Sequence, residues 1–245
     1  MLDSLASNCW VDMERNFSLE ISVESVDAAM AAERGGARRI ELCSNAREGG
    51  TTPSRELMRA VRERVSLPIF SMVRPRAGNF VYTDKEFGAM RREIEATKEC
   101  RMDGVVLGLL DADGEVDIAR AKQLVDLVRP LPITFHRAFD ECADLRVSLE
   151  DVIKTGATRL LTSGGKRTAS EALDVLEELV RIAGERLIVM PGSGLHAGNV
   201  RETVQKTGAR EYHAGLSSVV ADAANNLGAF EKEVRKLSAA LANCD

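Results

Sequence analysis

Apolar residues along this chain follow two alternating rhythms, a stretch of helical period and then a short run of strand period, and the pair recurs from Leu19 to Ala240. Three of the junctions share one turn. It reads Gly36-Ala37-Arg38-Arg39-Ile40-Glu41-Leu42-Cys43, then Gly156-Ala157-Thr158-Arg159-Leu160-Leu161, then Gly208-Ala209-Arg210-Glu211-Tyr212-His213, with a looser version at Asp103-Gly104-Val105-Val106-Leu107. In each, an amphipathic helix ends on a glycine that can turn left-handed without a Cβ penalty, and a strand follows at once. Further strands begin at Pro68-Ile69-Phe70-Ser71-Met72-Val73, Pro132-Ile133-Thr134-Phe135 and Arg186-Leu187-Ile188-Val189-Met190, and Phe17 to Val23 is the first. Eight strands alternating with helices, with no linker or low-complexity tract between them, predict an α/β chain folded as a single (β/α)8 TIM barrel over residues 17–245.

The helices are expected at Val26 to Arg34 with Ser25 as cap, after Thr51-Thr52-Pro53-Ser54, and at Asp84 to Cys100 and Ile118 to Val128. The remaining ones are expected at Val147 to Lys154, Ser170 to Ala183, Gly198 to Lys206 and Leu227 to Leu241. Residues 1–16 lack the basic start and apolar stretch of a secretory signal and are expected to form a flexible tail.

Composition narrows the function. Basic residues number 33 against 38 acidic, which gives no footprint for nucleic acid, and no apolar run is long enough to span a bilayer. The 5 cysteines are an odd number at no metal-finger spacing, which predicts reduced thiols and a cytoplasmic protein.

Alternation along the strands assigns the chemistry. With Leu19, Ile21 and Val23 facing the helices, Glu20 and Ser22 face the barrel interior; the second strand likewise turns Glu41 and Cys43 inward, the third Met72 and Arg74, the fifth Thr134 and His136. Catalytic candidates are therefore Glu20, Glu41, Arg74 and His136, gathered at the C-terminal strand ends where barrels of this type carry their sites. A buried ion-pair cluster is the structural alternative for the same residues. His213, at the end of the eighth strand, is better placed to reach the mouth than His196. The loops after strands six, seven and eight bring together Ser163, Gly164 and Gly165, then Gly192, Ser193 and Gly194, then Gly215, whose amides suit a small anionic ligand.

Several longer segments stand in a characteristic order: Glu41-Leu42-Cys43-Ser44, Gly49-Gly50-Thr51-Thr52-Pro53-Ser54, Arg74-Pro75-Arg76, Phe80-Val81-Tyr82, Thr134-Phe135-His136-Arg137-Ala138-Phe139-Asp140, Leu161-Thr162-Ser163-Gly164-Gly165 and Met190-Pro191-Gly192-Ser193-Gly194. From about Phe17 to Ser217 the chain resembles the copper homeostasis protein CutC family. The resemblance implies a cytoplasmic TIM barrel that forms homo-oligomers, serves copper tolerance and binds copper(I) through cysteines. Members commonly carry cysteine where this chain has Ser22 and Ala214, so Cys43 is the expected metal ligand and copper(I) binding is expected to be weak. An enzyme fits the same residues as a second class. It would act on a small anionic or phosphorylated metabolite, with Glu20 or Glu41 as base, His136 as acid or orienting donor and Arg74 clamping the anion.

Overall fold

The computed structural model describes residues 17–215, 220 and 225–244, so the expected tail at residues 1–16 lies outside the described residues. Eight parallel strands form one sheet: β1 (Ser18–Val23), β2 (Arg39–Leu42), β3 (Ile69–Met72), β4 (Gly104–Leu107), β5 (Ile133–Phe135), β6 (Arg159–Thr162), β7 (Ile188–Pro191) and β8 (Glu211–Ala214). Their spatial order is β7-β6-β5-β4-β3-β2-β1-β8, and β7 lies against β8 to bring the sheet round into a nearly closed barrel. The helices outside it are α1 (Val26–Arg34), α2 (Arg55–Arg62), α3 (Asp84–Glu99), α4 (Ile118–Val128), α5 (Leu145–Thr155), α6 (Leu173–Ala183), α7 (Val200–Thr207) and α8 (Leu227–Ala242).

Local chemistry sets these boundaries. Ser25, Ser54, Thr83, Asp117, Asp144 and Asn226 each accept a backbone N–H at a helix start, and Thr83 with Glu86 completes a reciprocal capping box. Pro53 therefore precedes the cap of α2 rather than opening its first turn. Capped by Asp144, α5 begins two residues before the expected start, because that carboxylate reaches the amides of both Arg146 and Val147. At the repeated helix-to-strand turns Gly156 and Gly208 end α5 and α7 at φ 85° and 65°, the left-handed region that a Cβ disfavours.

Two apolar layers hold the helices to the sheet. Leu19, Ile21 and Val23 on the outer face of β1 pack with Ala28, Ala29 and Ala32 of α1 and with Phe230, Val234 and Leu237 of α8. On the other side Val105, Leu107, Ile133, Phe135 and Leu160 pack with α3 to α6. The side chains of opposite parity fill the barrel, and at its N-terminal end they are charged. Arg39 donates to Glu20 and, at 2.6 Å, to Glu211; Arg159 donates to Glu211 at 2.8 Å. Both guanidiniums lie over the Phe70 ring, at 4.9 and 5.4 Å. Gly104 makes room for that ring, since a Cβ there would come within 2.6 Å of it.

Glu20 is fully buried and Arg39 is 5% exposed, so neither charge can turn to water if its partner is lost. Arg39→Met is expected to cost about 3–5 kcal/mol in urea unfolding followed by far-UV circular dichroism, because it removes the guanidinium that bridges the two carboxylates and leaves the fully buried Glu20 with His213 as its remaining partner among the described residues. Arg159→Met should cost less, since Glu211 then keeps Arg39. Equal losses in the two variants would show that Arg39 is not the central counter-charge.

Candidate functional site

The C-terminal ends of the strands open into a cavity of about 700 Å³. β2 presents Glu41 to it and Cys43 just past its end, β1 presents Ser22, β8 presents His213, and the segment after β5 presents His136. The register sets heights as well as faces. Ser22 lies opposite Glu41, whereas Glu20 pairs one step lower with Arg39 and His213, beneath the cavity rather than in its wall.

A chain of contacts runs upward from the charged end. Arg39 holds one oxygen of Glu20, and the other accepts a hydrogen bond from His213 Nδ1 at 2.7 Å. His213 Nε2 then faces Glu41 Oε2 across 3.9 Å, and Glu41 Oε1 has no partner among the described residues although Glu41 is 4% exposed. Burial would raise the Glu20 pKa, but Arg39 and His213 overcome it and hold the carboxyl at about 2. For Glu41 burial wins, and its pKa rises. His213 is pushed up by Glu41 and Glu20 against the desolvation that opposes its charge.

Across the cavity His136 is the opposite case. Its Nδ1 accepts the Ala138 N–H at 3.1 Å, so the neutral ring carries its proton on Nε2, which is buried without a partner. Burial, and then the positive charge of Arg74, press its pKa down to about 3. Gly108 leaves space for the ring, because a Cβ there would stand 2.4 Å from Nδ1. His136 thus brings a neutral ring with an unpartnered donor to the cavity wall, and Glu41 an unpartnered acceptor.

Arg74 lines the cavity, but its donors are engaged with the chain. Nη1 bonds the carbonyls of Glu48 and Gly50 at 2.9 and 2.7 Å, Nη2 that of Gly78 at 2.8 Å, and the guanidinium lies 4.8 Å over Phe80. Three backbone carbonyls from two loops make it a wall tie, leaving Nε as its unpartnered donor. The loop after β6 is also filled from within. The Asp140 carboxylate receives the amides of Ser163 and Gly165 at 3.1 Å, together with Arg137 Nε at 2.7 Å, and Gly164 N bonds Thr162 Oγ1. The amides expected to hold an external anion at Ser163, Gly164 and Gly165 are therefore taken. In the next loop Gly192 N bonds Thr162 O, while Ser193, Gly194 and Gly215 stand in the cavity wall.

Cys43 lines the cavity with its Sγ 3.5 Å from Ser22 Oγ, packed with Met72, Phe70 and Val106. Burial and the neighbouring Glu41 push its thiol up to about 12. Ala214 is buried among the helix-facing residues of the neighbouring core. Cys142 packs in the core beside α5 and does not line the cavity, and His196 caps a surface turn through Gly198 N. Arg39, Arg159, Glu211 and Asp140 were not among the expected site residues. Arg39 and Glu211 share the parity of Glu41 and His213, so alternation carried two residues toward the strand starts points to both.

Eight parallel strands enclosing a charged interior, with a cavity at their C-terminal ends, define a TIM barrel. Comparison of sequences assigns it further. The chain belongs to the CutC family, whose model matches residues 17–218. A family protein CutC of Chromobacterium violaceum is 45% identical over 205 residues, 84% of this chain and 83% of that protein. The copper homeostasis protein cutC homolog of Mus musculus is 44% identical over 202 residues, 82% of this chain and 74% of that protein. The crystal structure of a candidate copper homeostasis protein CutC from Streptococcus agalactiae superposes with a TM-score of 0.76 at 31% identity, over 81% of this chain and 98% of that one.

The buried neutral His136 has a consequence for stability. Its folded pKa of about 3 lies below the ordinary 6.5, so between those values the unfolded chain binds the extra proton. The stabilisation is complete above pH 6.5 and falls away as pH drops toward 3. His136→Gln should lose stability less steeply than the parent chain across that window, read as the urea midpoint against pH. Identical slopes would mean that His136 is not held neutral.

Proposed function

We propose that this chain acts in copper homeostasis in the cytosol and binds copper(I) weakly at the mouth of the barrel through Cys43. The family assignment and the copper homeostasis name of the mouse relative support the role. The observation that carries the ligand is the place of Cys43, in the cavity wall and in one packed cluster with Met72, whose side chain is a thioether. Thiolate and thioether are the donors that copper(I) prefers. Cys43, Cys100 and Cys142 are buried free thiols, in keeping with a reducing compartment.

The affinity is limited by what surrounds that sulfur. The thiol at about 12 has to give up its proton to ligate. Its neighbour at 3.5 Å is the hydroxyl of Ser22, a hard donor where a second soft one would complete a two-coordinate site. Ala214 adds none, because it is buried in the layer between sheet and helices.

Chelator competition under reducing conditions tests this. Cys43→Ser should abolish the copper(I) binding, and Ser22→Cys should tighten it by at least about tenfold by supplying a second thiol. Tight binding that survives Cys43→Ser, or no gain in Ser22→Cys, would place copper elsewhere on the chain.

A further inference from the structure

We propose that the mouth of the barrel also holds a divalent cation of the zinc or copper(II) kind, ligated by His213 Nε2 and the Glu41 carboxylate, with Glu20 orienting the imidazole. The proposal does not rest on the copper(I) reading, because it uses different atoms with different chemical preference. Nitrogen and oxygen donors select borderline divalent ions, whereas copper(I) seeks sulfur.

Three observations lead to it. The first is the fixed orientation of the imidazole. His213 donates Nδ1–H to Glu20 Oε1 at 2.7 Å, which leaves the neutral ring with its lone pair on Nε2, in the cavity wall. Metal-bound histidines are commonly held in this way, by a carboxylate that sets the tautomer and raises the basicity of the ligating nitrogen. Glu20 is itself held by Arg39, so the orienting group cannot swing into the cavity. With both oxygens engaged, it is a positioning residue and not a ligand.

The second is an oxygen without a partner. Glu41 is 4% exposed, and its Oε1 has no hydrogen-bond partner among the described residues. A buried carboxylate oxygen with nothing to accept from is a costly arrangement for the empty protein. One donor atom from each of Glu20, Glu41 and His213 lies within 4.8 Å of the others. His213 Nε2 and Glu41 Oε2 are 3.9 Å apart. Two such ligands at about 2.0–2.2 Å from a tetrahedral ion stand roughly 3.4 Å apart, so a shift of about 0.5 Å closes the site.

The third is charge. Glu20, Glu41 and Glu211 face Arg39 and Arg159 within this cluster, three carboxylates against two guanidiniums. Of the three, Glu41 is the carboxylate that neither guanidinium contacts, with the His213 ring facing it, and it is the one that lines the cavity. A cation there is matched by the field of the barrel, and its remaining coordination positions open onto about 700 Å³ of cavity, where water or a small ligand completes them.

The test is calorimetric titration of Zn2+ into the full chain in the presence of a reductant, joined to the electron paramagnetic resonance of added Cu2+. A single site is expected, weakened by at least about tenfold in Glu41→Gln and in His213→Gln, and unchanged in Cys43→Ser. The Cu2+ spectrum should show coupling to nitrogen that disappears in His213→Gln, a signature that a purely structural histidine would not give. Circular dichroism checks that the variants fold, and Glu41→Gln is isosteric at an oxygen that bonds nothing. Absence of Zn2+ binding, binding unchanged in Glu41→Gln, or loss of binding in Cys43→Ser would each overturn the proposal. The copper(I) competition fails or succeeds separately, since Cys43→Ser should remove copper(I) and spare Zn2+.

Discussion

A guanidinium enclosed in a barrel must find its counter-charges within its own reach, and Arg39 finds them on β1 and β8, with the Phe70 ring of β3 beneath it. That constraint sets the interior. Glu20 points down because Arg39 is there to meet it, and one of its oxygens then remains for His213. His213 is in turn fixed so that Nε2 faces the cavity and Glu41. The polar groups at the mouth therefore inherit their geometry from an ion cluster at the other end of the strands. Gly104 is the packing counterpart of this arrangement, since the Phe70 ring needs the space that a side chain would fill.

The upper rim is organised differently, by backbone groups satisfied from within the chain. Arg74 ties the loops after β2 and β3 through three carbonyls, and Asp140 occupies the amides after β6. Each is a charged group that could have met a ligand and instead stiffens a wall. Within those walls stand unlike groups: a Glu41 carboxylate with an unpartnered oxygen, a His136 ring with an unpartnered N–H, and the Cys43 thiol beside Ser22. A soft sulfur and a nitrogen–oxygen pair side by side give one cavity two distinct chemistries for cations.

Much of this could be read before any coordinates. The glycine turns mark the helix-to-strand junctions because a left-handed backbone requires them, and parity along β1, β2 and β5 puts Glu20, Glu41, Cys43 and His136 on the inner face. Parity gives a face and not a height, which is why Glu20 lies below the cavity and Glu41 within it. Arg39 carried the same signal two residues before Glu41, at a strand start where a charged residue reads as readily as solvent-facing. The roles of Arg74 and Asp140 were hidden for another reason. Each bonds to backbone groups of a loop distant in sequence, and side-chain type alone does not reveal whether a charge awaits a ligand or holds a turn.

The central claim is that the barrel holds its two interior histidines in opposite states, His213 keeping its proton on Nδ1 toward Glu20 and His136 keeping its proton on Nε2, with Nδ1 accepting from Ala138. Nitrogen-15 NMR of the imidazole rings, recorded at alkaline pH where both rings are neutral, reads this directly. The account predicts a protonated Nδ1 for His213 and a protonated Nε2 for His136. The same tautomer at both rings, or a His213 ring that keeps its proton on Nε2, would contradict it.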